Sequence, residues 1–135
     1  MSELKKYKMF INGEWVDSES KKTFETLNPE NNKPWAIVPE ASAKDVDRAV
    51  KSAQKAFEGE WPKLLPRERA KYLRAIGNKL RENAELLGKV ETVDTGKLYR
   101  ETYKQAHYIA EYYDYYAGLA DKVEGTVLPI DKPNI

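Results

Sequence analysis

Histidine occurs once in this chain of 135 residues, as His107 between Ala106 and Tyr108, and cysteine does not occur at all. Those two facts remove most side-chain chemistry. A lone imidazole needs a partner to orient it before it can move a proton, and no nearby residue completes a triad with His107. A chain without a thiol has no thiolate nucleophile and no disulfide, and the usual nitrogen and sulfur ligands of zinc cannot be assembled. Phosphate loops fail as well. None of the seven glycines lies two residues from another, so there is no G-x-G-x-x-G turn. Thr95-Gly96-Lys97 has the look of a P-loop ending, but position 91, where glycine is required, holds Glu91. A helix stop followed by a charged residue is the simpler reading.

The aromatic residues are more informative. Seven of the nine tyrosines lie between Tyr99 and Tyr116. Tyrosine buries a large apolar ring while its hydroxyl seeks a partner, which suits cores, interfaces and partly wet seams. Stacking on single-stranded nucleic acid would need an interleaved cationic groove. Lys104 is the only lysine or arginine between Arg100 and Lys122, and Glu101, Glu111 and Asp114 oppose it. Lysine and arginine total 23 against 22 aspartates and glutamates, a net charge of +1. That balance argues against nucleic-acid and acidic-membrane partners, which require a concentrated basic field. No stretch approaches the roughly 18 uninterrupted apolar residues of a membrane span, and Met1–Phe10 lacks the apolar run of a signal peptide. A cytoplasmic protein of one domain is expected.

The elements that must position these residues divide the chain in two. Residues 1–40 read as β. Asn12-Gly13, flanked by Phe10, Trp15 and Val16, signals a two-residue hairpin turn. Turn-rich Asp17–Lys22 leads to a strand at Thr23–Leu27, which Asn28-Pro29 ends, and Trp35–Val38 forms another before Pro39. An antiparallel meander or a pair of hairpins follows. Residues 42–122 read as three helices. Ser42 caps the first, with Asp45 at its positive end, and Val46, Ala49, Val50, Ala53 and Phe57 make its apolar stripe until Gly59. Pro66 opens the second, whose stripe of Ala70, Leu73, Ile76, Leu80, Ala84, Leu87 and Val90 runs to Thr95-Gly96. Gly77 and Gly88 inside it point to close helix packing or a bend, and Arg81 to Glu85 offers an i,i+4 ion pair. The third runs from about Leu98 to Lys122 with Tyr99, Tyr103, Ala106, Ala110, Tyr113 and Ala117 on one stripe. After Gly125, Thr126–Ile130 reads as an edge strand, Pro129 favouring that position. The chain stops at Ile135 with no polar tail, which predicts a truncated protein.

In order and spacing these segments resemble the opening of the NAD(P)-dependent aldehyde dehydrogenases. Phe10-Ile11-Asn12-Gly13-Glu14-Trp15-Val16 is similar to that family's first hairpin, and Phe24-Glu25-Thr26-Leu27-Asn28-Pro29 to its next strand and turn. Asp45-Val46-Asp47-Arg48-Ala49-Val50, Glu91-Thr92-Val93-Asp94-Thr95-Gly96-Lys97 and Tyr115-Tyr116-Ala117-Gly118-Leu119-Ala120-Asp121-Lys122 resemble its first three helices. The resemblance covers nearly the whole chain. It implies an α+β fragment, a β-hairpin or meander followed by three helices and a C-terminal edge strand, forming the outer part of a cofactor domain. Residues 125–135 would begin an oligomerisation arm.

The implied parent oxidises aldehydes to carboxylic acids with NAD or NADP through a cysteine thiolate. Its nucleophile, general base, oxyanion-hole asparagine and dinucleotide loop lie downstream. This chain would then hold no catalytic and no cofactor-binding residue, would bind no cofactor, and would be inactive alone. By resemblance, Leu27 and Asp94 are partial ligands of a monovalent cation, and Tyr103, His107 and Ile109 line a substrate tunnel. The alternative function is a self-associating interaction module without activity. Helices whose apolar stripes lack a covering layer expose large patches, so a homodimer or higher oligomer through the second and third helices is expected.

Overall fold

The computed structural model describes residues 4–126. Five strands precede four helices: β1 Lys5–Lys6, β2 Met9–Ile11, β3 Glu14–Val16, β4 Thr23–Asn28, β5 Lys33–Pro39, then α1 Ala43–Glu58, α2 Pro66–Glu82, α3 Ala84–Thr95 and α4 Tyr99–Leu119, with a single 3-10 turn at Trp61–Lys63. The architecture is the expected α+β arrangement. The edge strand expected over Thr126–Ile130 lies outside the described residues apart from Thr126.

The β part is a pair of hairpins in separate sheets. Asn12 and Gly13 both take positive φ, 54° and 82°, the twist that a two-residue turn needs, and β2 pairs antiparallel with β3 from Met9↔Val16 to Ile11↔Glu14. Strands β4 and β5 pair antiparallel, and β1 adds to β5 in parallel, giving the order β1-β5-β4. β1 was not foreseen, because two exposed lysines carry no alternating pattern; Tyr7 N–H anchors it on the Ile37 carbonyl at 2.9 Å. The β4–β5 turn is stitched by side chains. Asn28 Oδ1 accepts from Glu30 N at 2.9 Å and Asn31 Oδ1 from Lys33 N at 3.0 Å. The register passes from Thr26↔Ala36 to Leu27↔Pro34, so Trp35 is the extra residue of a bulge. Its ring meets Tyr7 edge-on at 6.1 Å.

Asp45 joins the β part to α1. Its carboxylate is buried and Oδ2 accepts from Ser42 N at 2.9 Å, Ser42 Oγ at 2.8 Å and Ser18 Oγ at 2.9 Å. Glu19 N donates to both carboxylate oxygens at 3.2 Å. The helix cap expected at Ser42 is thus a reciprocal capping box that also grips the loop after β3. The Ser42 N–H first, then its hydroxyl, and then Ser18 and Glu19 hold the Asp45 carboxyl down to about 2 against the opposing effect of desolvation.

The helices depart from expectation at Asn83. The stripe over residues 66–95 predicts one helix, and the chain makes two. Asn83 leaves helical geometry at φ −109° and ψ 12°, and both its backbone N–H (3.1 Å) and its Nδ2 (2.8 Å) donate to the Lys79 carbonyl. A side chain that satisfies the last carbonyls competes with continuation of the helix. Gly77 and Gly88 mark close packing. A Cβ on Gly77 would lie 3.2 Å from the Ala110 carbonyl oxygen, and one on Gly88 would lie 3.0 Å from both N and Cα of Tyr103. Across that seam α4 buries Thr102, Ala106, Ala110 and Ala117. Thr102, absent from the expected stripe, is its largest fully buried member, with Oγ1 2.9 Å from the Gly88 carbonyl and 2.9 Å from Thr92 Oγ1. Tyr99 and Tyr103 sit at the seam's margin instead, each 39% exposed. Arg81 bonds Asp114 on α4 in place of Glu85, which pairs with Lys89.

The buried apolar residues are Ile11 and six alanines, whereas Val46, Val50, Phe57, Ile76, Leu86 and Leu87 are exposed. The accessible surface is 11170 Å² for 15.6 kDa, against about 7,300 Å² for a compact monomer of that mass. The stripe of α1 is therefore present in the sequence and uncovered in the fold.

Two consequences can be measured. Gly88→Ala gains about 1 kcal/mol of helix propensity, but its methyl meets backbone. Overpacking of this kind costs about 1–3 kcal/mol, so a lower urea midpoint is expected, and a higher one would contradict the seam. Asp45→Asn removes the charge its donors favour. An unfolded aspartate titrates near 4, so the charge stabilises fully above about pH 4 and ceases to as pH falls toward about 2. The Tm gap between the parent chain and Asp45→Asn should close across that window, followed by circular dichroism.

Candidate functional site

The end of α3 brings Asp94 to β4, where its partner is Thr26, the residue before Leu27. Gly96 terminates that helix in the left-handed region, φ 75°, with its N–H on the Thr92 carbonyl at 2.9 Å. A Cβ there would be 3.4 Å from Pro29 Cβ, so the cap rests on the turn that follows β4. The last turn of α3 consequently meets the strand, and Thr26 Oγ1 donates to Asp94 Oδ1 at 2.8 Å. Thr95-Gly96-Lys97 is the helix stop expected: Thr95 Oγ1 returns to the Glu91 carbonyl at 2.7 Å and Lys97 Nζ pairs with Glu91 at 2.7 Å.

Leu27 presents its peptide at the open edge of the sheet. Glu40 N donates to the Lys22 carbonyl at 2.9 Å, which sets the alternation of β4 against β5. In an antiparallel pair every second residue bonds the partner and the others turn outward. Residues 22, 24 and 26 face β5, so 23, 25 and 27 face away, and β4 is at the sheet's edge. Pro34 opposite Leu27 has no N–H to give in any case. Asp94 has no cationic partner among the described residues, since the nearby Lys97 is taken by Glu91. A carboxylate and a carbonyl are hard oxygen donors, the type that suits a cation of low charge. Among the described residues no group of three histidines, cysteines, aspartates or glutamates could hold a metal by side chains alone.

Of the three residues expected to line a tunnel, two meet. The rings of Tyr103 and His107 lie 4.9 Å apart at 68°, one turn apart on α4, and Tyr99 continues the row at 6.0 Å from Tyr103. Ile109 does not join them: two positions beyond His107, it sits about 200° around the helix. His107 is half-buried, and its contact on α4 is the Tyr103 ring one turn earlier. A separate tyrosine pair, Tyr108 and Tyr112, shares a hydroxyl contact of 2.9 Å and edge-on rings, and the Tyr108 hydroxyl raises the Tyr112 pKa. A groove of about 640 Å³ lies between the β2–β3 turn and α1; Phe10, Ile11, Ala49, Ala53 and Ala56 line it together with Asn12, Ser52, Lys55 and Glu60.

Sequence reasoning missed Thr26, Ser18 and Thr102. Each is a hydroxyl whose partner lies on another element, and only for Ser18 did a signal exist, in the turn-rich run that contains it.

Residues 15–135 match the family model described as the aldehyde dehydrogenase family. A dehydrogenase of Acinetobacter baylyi, named for (Z)-2-((N-methylformamido)methylene)-5-hydroxybutyrolactone, is 41% identical over 98% of this chain and 27% of its own length. Aldehyde dehydrogenase family 2 member C4 of Arabidopsis thaliana is 39% identical over the whole chain and 27% of its length. Among solved structures, an aldehyde dehydrogenase of Bacillus cereus superposes with TM-score 0.88 at 40% identity, covering 95% of this chain and 26% of that one. Betaine aldehyde dehydrogenase of Staphylococcus aureus, solved with NAD+, gives 0.86 at 39% identity over 94% of this chain and 26% of that one. This chain spans about a quarter of the length of the curated relatives it matches, and it belongs to the aldehyde dehydrogenase family.

Proposed function

We propose that this chain is the first quarter of an enzyme that oxidises aldehydes to carboxylic acids with NAD or NADP, and that it does no chemistry by itself. The supporting observation is a fold that aligns over nearly its full length with the family while leaving its largest apolar side chains uncovered. Residues 1–40 and 42–122 supply the strands and outer helices of a cofactor domain, and 125–135 begin an oligomerisation arm. The residues here do not fit a dinucleotide: the chain has no glycine phosphate turn and no thiol. No step of the oxidation is therefore assigned to it. Tyr103 and His107 would form one wall of the aldehyde tunnel, with Ile109 reaching it only if the tunnel wraps α4. Leu27 and Asp94 fit a monovalent cation through a carbonyl and a carboxylate; when bound, it would tie the end of α3 to β4.

A chimera tests this reading. This chain replaces the corresponding quarter of the Bacillus cereus aldehyde dehydrogenase, and the product is assayed for NADH formation from a simple aldehyde. Turnover by the chimera and none by the 135-residue chain is expected. A folded but inactive chimera, or saturable turnover by the lone chain, would overturn the proposal.

The uncovered faces favour a second reading, self-association of the lone chain. Tyr72, Ile76, Leu80, Leu86 and Leu87 form an apolar groove along α2 and α3, and β4 leaves an open edge. Light scattering should show a dimer or larger species whose mass falls toward 15.6 kDa in Ile76→Glu/Leu87→Glu. A monodisperse monomer at all concentrations would contradict it.

A further inference from the structure

We infer that Asn12-Gly13, at the tip of the β2–β3 hairpin, is a self-modifying site. The Gly13 backbone nitrogen closes on the Asn12 side chain, and Ser52 of α1 assists by hydrogen-bonding the amide oxygen. The asparagine is thereby converted to aspartate and isoaspartate with loss of ammonia. No ligand or partner is required.

Such a closure needs a nucleophile free of hydrogen bonds, space around it and an activated carbonyl. The turn meets each condition. The β2–β3 ladder ends at Ile11↔Glu14, and among the described residues the Gly13 N–H has no hydrogen-bond partner. Both turn residues are exposed, and a Cβ placed on Gly13 would meet nothing within 4 Å. Glycine itself brings no Cβ to shield its nitrogen. Ser52 Oγ donates to Asn12 Oδ1 at 3.3 Å. That oxygen becomes an oxyanion as the nitrogen attacks Cγ, so a donor already placed on it stabilises the developing charge. Arg48, Lys51 and Lys55 line the hollow that holds Asn12, against the single carboxylate of Glu14. Their positive field favours both the deprotonated nitrogen that attacks and the carboxylate that results.

The Gly13 N–H loses its proton to solvent, the nitrogen bonds Asn12 Cγ, and the Cγ–Nδ2 bond breaks. Nδ2 takes a proton from solvent and leaves as ammonia. Water then opens the cyclic imide. Addition at Cγ gives aspartate, and addition at the Asn12 main-chain carbonyl gives isoaspartate, whose backbone runs through Cβ and Cγ.

The other described asparagines are protected. Asn28 precedes Pro29, which has no N–H. The amides after Asn31 and Asn32 are engaged: Asn32 N donates to the Asn28 carbonyl at 2.8 Å and Lys33 N to Asn31 Oδ1 at 3.0 Å. Asn78 lies inside α2, where the next amide belongs to the helical ladder. Asn83 is followed by Ala84, whose Cβ crowds the nitrogen, and its Nδ2 is bound to the Lys79 carbonyl. Conversion at Asn12 also has a structural consequence. Isoaspartate adds a carbon to the main chain of a two-residue loop, whose twist matches its strands only at that length. Those strands have three residues each, too few to hold their register alone. The product therefore loosens the hairpin that carries Phe10 and Trp15.

The test incubates the 135-residue chain at mildly alkaline pH, folded and in guanidinium chloride, and then digests it with trypsin. The peptide Met9–Lys21 contains Asn12 as its only side-chain amide. An amide-to-acid mass gain there reports the site, and labelling by an isoaspartate-specific methyltransferase reports the product. In the folded chain Met9–Lys21 should convert while the peptide that holds Asn28, Asn31 and Asn32 keeps its amides. Ser52→Ala should slow the folded chain by about two- to tenfold, the rate equivalent of one hydrogen bond. It should leave the rate in guanidinium chloride unchanged, and Ser52→Thr should restore the folded rate. A Met9–Lys21 peptide that converts in guanidinium chloride but persists intact in the folded chain would overturn the inference. Equal folded rates in Ser52→Ala and the parent chain would overturn the role of Ser52.

Discussion

Close backbone approach between helices is the constraint on which this fold depends. Gly77 and Gly88 admit the α4 backbone so closely that an added Cβ would lie 3.2 Å and 3.0 Å from it and force it to give way. On α4 the facing positions are Thr102, Ala106, Ala110 and Ala117, none larger than threonine. Small residues on both sides let the helices pack by backbone and short side chains, with little apolar area buried per contact. That geometry explains why a chain rich in tyrosine, leucine and valine has a core made mainly of alanine. The large residues are displaced to the outer faces, where a further layer of protein could cover them.

Directional polar contacts do what apolar burial does not. Asp45 collects donors from Ser18, Glu19 and Ser42 and so fixes α1 to the loop after β3, although the apolar stripe of α1 is open. Thr102 joins α4 to α3 through the Gly88 carbonyl and Thr92. Thr26 joins β4 to the end of α3. Asp45 and Thr102 are buried and draw partners from more than one segment, whereas Thr26 has one partner, Asp94, at the surface. A buried group of this kind is costly if left unpaired, which specifies one arrangement even where the apolar surface is indifferent.

Local signals were the legible part of this sequence. Asn12-Gly13 produced the hairpin, Ser42 with Asp45 the capped helix, Pro66 a helix start and Gly96 a helix stop, because each acts through neighbours within four residues. The glycines inside the second stripe point to close packing or a bend, and close packing is what they make. Features set by distant partners were not legible. β1 exists because β5 has a free side, and nothing in Lys5-Lys6 says so. Size and spacing assign the tyrosine stripe to a core or an interface, whereas the glycines opposite α4 demand threonine and alanine at the buried positions. At the candidate site, Leu27 and Asp94 were named from resemblance, and the threonine that connects them required the fold to be seen.

The interruption at Asn83 sets how far the second stripe can reach. A continuous helix over residues 66–95 would run about 45 Å, while α4, with 21 residues, runs about 31 Å. An unbroken rod would overshoot its neighbour and carry its tail into solvent. The break at Asn83 divides that length into α2 and α3, and the last turn of α3 meets β4 where Thr26 bonds Asp94. An asparagine at the far end of a helix thereby decides whether a carboxylate eleven residues later has a sheet to meet.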